Sequence, residues 1–424
     1  MNPARLFHAS CLALVVTAMS FALRGEATAT WGGEFHLTNE QLGWINSTAF
    51  WGFTLAMVLG GPLCDALGLK RIVWLAFAGH LAGIGLTIAA GGYGTLYAGT
   101  LLFGLANGLV VAACNPLIAT LYPDDKTTRL NKFHVWFPGG IVIGGLLAYA
   151  LGHGGFGWRW QFGLMLLPTM AYGWRFLAQE FPRTERVAQG VSTGAMFRAC
   201  LSPMFLLMVG CMLLTAASEL GPGQWIPKIL TTAGAPGILV LVWITGLMAV
   251  GRQFAGVFLH GMSAPGLLFF GAVFSALGLY AMSHSSGLML FAAATVFAVG
   301  ICFFWPTMLG YVAEQFPRTG ALGLAIMGGA GMLSVSFVLP AMGHIYDQGI
   351  AGRIPPGVTA AMLAAAPAGS DPAAQWMSIQ AAAGLETLGR IAMLPLVLAV
   401  IFGLLALRFR LRGGYRPVSL KSAP

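Results

Sequence analysis

Twelve stretches of about twenty mainly apolar residues run along this chain, separated by short polar or Gly/Pro-rich punctuation. Crossing lipid hydrocarbon takes ~20 such residues in a helix, the form that satisfies every backbone polar group within its own segment. The stretches fall near 7–31, 41–66, 71–91, 95–121, 130–152, 158–178, 201–220, 236–260, 264–283, 287–313, 320–345 and 389–408. The expected fold is therefore all-α, with twelve transmembrane helices. Composition closes off a large soluble domain: of 424 residues, 57% are hydrophobic and 8% charged, against roughly 25% charged in soluble proteins. The 59 glycines suit helices packed closely in lipid.

The basic residues set the expected orientation. With the N-terminus inside, sixteen of the 22 lysines and arginines fall at cytoplasmic ends and loops, among them Lys70, Arg71, Arg129, Arg183, Arg318 and Arg410. Arg159, Lys228, Arg353 and Arg390 fall outside, and Arg24 and Arg252 lie within spans. That bias predicts two cytoplasmic termini. It also accounts for the net charge of +9 without nucleic acid, because the basic residues form no long run. The apolar run from Cys11 to Leu23 is read as the first span and not as a cleaved leader, since Arg24 and Glu26 stand where a small-residue cleavage site would be. Cys11, Cys64, Cys114, Cys200, Cys211 and Cys302 lie in or beside apolar stretches with no metal-ligand spacing, so they read as buried thiols.

The chain is expected to divide into residues 1–178, a cytoplasmic linker over 179–199 and residues 200–424, the last including an extracytoplasmic segment at 348–385. Faint internal repetition supports two six-helix halves. Asn115-Pro116 is followed by Trp305-Pro306 after 190 residues, and Glu26 by Glu219 after 193. Parallel repeats of this kind are the plan of carriers that rock two bundles about a central site.

Between the second and third spans the sequence reads GGPLCDALGLKRIV, with Gly61, Leu63, Asp65, Gly68, Lys70 and Arg71. Glycine, leucine, acid, glycine and two basic residues at this place resemble the loop signature of the major facilitator superfamily. The resemblance implies two six-helix bundles related by a pseudo-two-fold axis. It also implies that Gly61, Asp65, Gly68, Lys70 and Arg71 form a latch of the outward-facing state. Physically, Gly61 permits close helix approach, Gly68 a tight turn, and Asp65 can accept from a helix N-terminus or pair with a base. Thr100 stands where many members carry an arginine, which weakens any analogy with proton-coupled drug antiporters. Asn115-Pro116 and Gly251-Arg252 are similar to the fucose–proton symporter branch of sugar carriers.

Ionisable groups within spans face cavities or partners. Arg24, Glu26, Glu219 and Arg252 qualify, and their formal charges cancel. Glu26 and Glu219 are read either as proton-coupling acids or as packing acids near the outer end. Arg252 is read either as substrate-binding or as a structural arginine bonded to carbonyls. Asn46, Asn107, Asn115, Gln224, Trp225 and Trp305 join Arg24 and Arg252 as candidate substrate ligands, because sugars ask for flat apolar faces and amide hydrogen bonds. His134, near the cytoplasmic end of the fifth span, is read as loop packing ahead of proton relay, and Trp158, Trp160 and Trp174 as interface anchors.

No phosphate-cradling loop, metal cluster or nucleophile elbow appears. The expectation is a monomeric, non-enzymatic carrier without cofactor, moving a small polar solute such as a sugar or polyol by alternating access with protons. Two alternatives stand beside it: an organic-anion carrier using Arg24 and Arg252 as clamps, and a non-transporting receptor or scaffold on the same fold.

Overall fold

The computed structural model describes residues 2–37, 39–183, 193–235, 237–254, 262–367 and 369–418. The described residues are helical with short connections. The first six passes are α1 (Pro3–Glu34), α2 (Asn39–Leu67), α3 (Leu69–Ile88), α4 (Tyr93–Leu121), the pair α5 (Lys126–His134) and α6 (Trp136–His153), and the pair α7 (Trp158–Leu164) and α8 (Leu166–Phe176). After a short α9 (Thr193–Cys200) come α10 (Pro203–Thr232), α11 (Gly237–Gln253), α12 (Ala264–Met282), the pair α13 (Gly287–Ile301) and α14 (Phe304–Gln315), and α15 (Gly320–Ala351). The last pass is α17 (Asp371–Ile391) running on into α18 (Met393–Leu411), with the short α16 (Ala360–Ala364) before it. The middle of the linker read over 179–199, residues 184–192, lies outside the described residues.

Helix starts follow local chemistry. Asn2, Ser263 and Ser370 each accept a backbone N–H of the first turn with a proline beside them, the usual pairing of a polar cap with Pro in the first turn. Helix breaks follow proline. Four passes read as continuous are interrupted at Val135, Met165, Phe303 and Ala392, each three residues before Pro138, Pro168, Pro306 or Pro395. A proline removes the N–H that would bond the carbonyl four residues back, and its ring crowds that carbonyl.

Two further expectations on the outer segments need correction. The stretch 348–385, read as an extracytoplasmic segment ahead of a last span at 389–408, also supplies the start of the last pass. From Asp371 it forms a 21-residue helix that packs on α10, α12 and α15. Arg353 and Arg390 both grip Glu386 there, at 2.8 and 2.6 Å. Trp158 is not an interface anchor but is buried edge-on against Trp31, whereas Trp160 and Trp174 are exposed.

The two bundles meet along α2 and α15, and along α5 and α6 against α11 and α14. They are closed at the end that carries Gly68. A Cβ on Gly61 would lie 2.5 Å from that of Ala325 and 2.9 Å from the carbonyl of Ala321. Any side chain there would push α2 and α15 apart. Thr127 donates to Glu314 across the same seam, and Asn131 reaches Thr307 at 3.5 Å.

Candidate functional site

Glu219 was expected near an outer helix end, on the reading that the seventh span covers 201–220. The helix instead continues to Thr232, which places Glu219 near its middle. There it meets Arg252 of α11: Nη2 donates to Glu219 Oε1 at 2.9 Å. Both side chains are buried. The same guanidinium donates from Nε to the carbonyl of Cys302 and from Nη1 to the carbonyl of His134 at 3.1 Å. It bonds carbonyls as a structural arginine would, yet it stands at the seam between the bundles, because His134 belongs to the first bundle.

His134 is a second residue that sequence reasoning placed wrongly. The helix carrying it begins at Lys126, not near 130, and breaks just after it. The imidazole therefore sits in the interior and not in a loop. Its Nε2 lies 3.1 Å from Asn115 Oδ1. Glu219, Arg252, His134 and Trp305 line one small cavity with Leu14, Phe53, Val111, Phe137, Leu220 and Met332. The space is about 20 Å³, room for a water molecule but not for a ring-sized solute. Two polar atoms at this site are buried without a hydrogen-bond partner: Glu219 Oε2 and Asn115 Nδ2. Unsatisfied buried polar groups are costly and here they cluster where the bundles would part.

The remaining candidates scatter. Asn107 is buried in the first bundle, with His80 Nε2 3.0 Å from its Oδ1 and its amide donating to Ser20 Oγ at 3.1 Å. His80 in turn meets the Tyr172 hydroxyl at 2.9 Å. Arg24 is buried with its guanidinium 5.1 Å from the Phe21 ring centroid. Trp225 lies edge-on to Tyr346, further along α10. Glu26, Asn46 and Gln224 are on α1, α2 and α10, and their side chains lie outside the described residues. Thus Glu219, Arg252 and Trp305 come together, Asn115 joins them through His134, and Asn107, Arg24 and Trp225 line other places.

At the loop signature, Gly68 caps α3 with φ +86°, a conformation that favours glycine. Asp65 is half-buried, and Lys70 and Arg71 are exposed. A second arrangement at this end gave no sequence signal. Tyr415 of the C-terminal tail donates to Glu314 Oε2 at 2.6 Å, and Val418 N–H to the Glu314 carbonyl at 2.8 Å. Burial and the adjoining carboxylate push the Tyr415 phenol well above its usual range. At the opposite end, Glu34 receives the Trp158 indole N–H and Arg159, both at 2.7 Å. The indole first, then the guanidinium, holds the Glu34 carboxyl below the usual range. Among the described residues no group of three or more His, Cys, Asp or Glu could hold a metal ion.

Comparison with known proteins bears on this arrangement. The Major Facilitator Superfamily profile matches residues 9–265. The cis,cis-muconate transport protein of Acinetobacter baylyi is 30% identical over 165 residues, 38% of each chain. The chain spans under two fifths of the length of the curated relatives it matches. Among solved structures, FucP, the E. coli fucose:proton symporter, in its outward conformation superposes with a TM-score of 0.67 at 15% identity, covering 92% of this chain and 98% of the other. The proton:xylose symporter XylE gives 0.70 at 15% identity and covers 95% of both chains.

Proposed function

Because the chain belongs to the Major Facilitator Superfamily, and is a multi-pass membrane transporter and not an enzyme, we propose that it carries a small polar solute, a sugar or related polyol, by alternating access with protons. The observation that carries this reading is the Glu219–Arg252 pair at the seam, 2.9 Å apart and lining the central cavity. The pair is neutral as a whole, so the cavity presents hydrogen-bonding groups and an indole face and no uncompensated charge. That suits a neutral hydroxylated solute better than an anion. Glu219 is the acid placed to take up a proton, with one oxygen on Arg252 and the other unpartnered. Glu26 is the candidate in the first bundle. Asn115 and Trp305, with Arg252, are the substrate contacts proposed at this cavity; Arg24, Asn46, Asn107, Gln224 and Trp225 belong to the wider candidate set.

In this reading both termini and the Gly68 loop are cytoplasmic, the protein works as a monomer, and Gly61, Asp65, Gly68, Lys70 and Arg71 latch the cytoplasmic side. The organic-anion reading has one observation behind it, a buried arginine at the seam. Its donors, however, already serve Glu219, Cys302 and His134, so an anion would have to displace a carboxylate. The deciding experiment is uptake into proteoliposomes, alkaline inside, with a panel of pentoses, hexoses, polyols and dicarboxylates. Gradient-dependent uptake of a sugar or polyol is expected. Uptake of dicarboxylates alone would transfer the case to the anion carrier, and silence across the panel to the non-transporting receptor. Asp65→Asn should slow turnover while leaving solute affinity within about twofold, since interactions away from the solute change rate and not binding.

A further inference from the structure

Arg252 has three acceptors, and two of them are carbonyls that the sequence itself has released. In an α-helix the carbonyl of residue i accepts the N–H of residue i+4. For His134 that residue is Pro138, and for Cys302 it is Pro306. Neither proline has an N–H. The normal ladder resumes one residue later in both places, Gly139 N–H to the Val135 carbonyl and Thr307 N–H to the Phe303 carbonyl, each at 3.0 Å. Two orphaned carbonyls deep in the protein would each be costly if left unpaired. Both are met by one guanidinium, from Nη1 and Nε of Arg252.

We propose that Pro138 and Pro306 are positioning residues that build a two-sided carbonyl socket for Arg252, and that the Arg252–His134 carbonyl bond is a staple between the bundles that must release when the Gly68 end opens. This inference rests on the alternating-access reading. The two sides of the socket differ in kind. Cys302 lies in the same bundle as Arg252, so its carbonyl travels with the arginine. His134 lies in the other bundle, so its carbonyl is within reach only while this end is closed. Pro306 therefore holds Arg252 in place in either state, whereas Pro138 stabilises one state alone. The guanidinium suits the task because it is planar and carries its donors in a fixed fork, which an ammonium does not.

The test reads the balance of states without solute. Spin labels at Asp124 and Leu201, one per bundle and both exposed near the Gly68 end, report the distance between the bundles; the six native cysteines are buried. Pro138→Ala returns an N–H to the His134 carbonyl and should raise the open-to-closed ratio about tenfold, the scale of one hydrogen bond to a charged group. Pro306→Ala should leave that ratio within about twofold. In an Arg252→Lys background, the Pro138→Ala shift should shrink to about twofold or less, because the staple it acts through is gone. An equal shift in both backgrounds would mean that Pro138 acts by bending its helix, and would overturn the inference. Two populations with a ratio indifferent to Pro138→Ala would overturn it as well, leaving alternating access intact. A single distance under every condition would overturn alternating access together with the staple. Should Arg252→Lys fail to fold, Arg252→Gln serves as the same background with the same expected outcomes.

Discussion

Two glutamate–arginine pairs in this protein have nearly the same length and opposite surroundings. Glu34 and Arg159 approach to 2.7 Å with side chains 34% and 42% exposed, both in the first bundle. Glu219 and Arg252 approach to 2.9 Å with 6% and 2% exposed, in a cavity between bundles. The outer pair can exchange either partner for water, so it contributes little and constrains little. The inner pair has no such exchange available. Its members must remain paired, change protonation or find new partners when the bundles move. Distance alone does not separate a clamp from a switch; burial and position relative to the moving seam do.

The comparison can be broken first at the inner pair. Arg252→Leu or Glu219→Leu alone leaves a buried charge unpaired and should lower unfolding stability by about 3–5 kcal/mol, read by denaturant unfolding in detergent. The double change to Leu at both positions should recover the part of that loss that comes from the unpaired charge, while transport stays absent. It should not recover the cost of the His134 and Cys302 carbonyls left without a donor. A double variant that loses the sum of the two single changes would mean that the sites stabilise the fold independently of each other. The Glu314 seam should respond next. Tyr415→Phe removes one hydrogen bond to the carboxylate that also holds Thr127, with an expected cost of about 1.5–3 kcal/mol. Because Tyr415 holds the carboxylate that accepts Thr127 across the closed seam, the spin-label distance should shift toward the open population.

The outer pair should give the smallest effect. Glu34→Gln keeps an acceptor for the Trp158 indole and removes the charge, so the loss at neutral pH should stay below about 1 kcal/mol. Its sign with pH follows from the depressed carboxyl. The charge contributes above the unfolded value of about 4.3 and is lost as pH falls through the lower folded value. Stability curves of the wild type and Glu34→Gln should therefore converge in acid. A gap that widens in acid would contradict the assignment.

Much of this architecture is legible in the sequence because the bilayer enforces it. Twelve apolar runs became twelve passes, and the glycine at position 61 stands where α2 and α15 touch. The helix breaks were also written there, in Pro138, Pro168, Pro306 and Pro395, but an apolar run looks continuous across a proline. Glu219 was misplaced for the converse reason: a span over 201–220 ends short of Pro222, yet α10 runs through that proline. His134 depended on where its helix begins, and polar Lys126–Asn131 hid four residues of it. The pairing of Arg252 with carbonyls 50 and 118 residues distant and of Glu34 with residues 124 and 125 away belongs to tertiary packing, on which local pattern is silent. Asn107 illustrates the same limit, since an amide suited to a sugar is equally suited to a buried histidine, and His80 occupies it.

The central claim is that Glu219 couples proton movement to the rocking of the bundles, and Glu219→Gln in proteoliposomes tests it most directly. Glutamine keeps the shape and an acceptor for Arg252 but cannot titrate. With a transported solute on both sides, counterflow exchange should persist at a rate within a few-fold of wild type, because exchange needs no net proton transfer. Accumulation driven by an imposed proton gradient should vanish. If the variant still concentrates solute against its gradient, Glu219 does not carry the proton, and the pair at the seam is a structural bond.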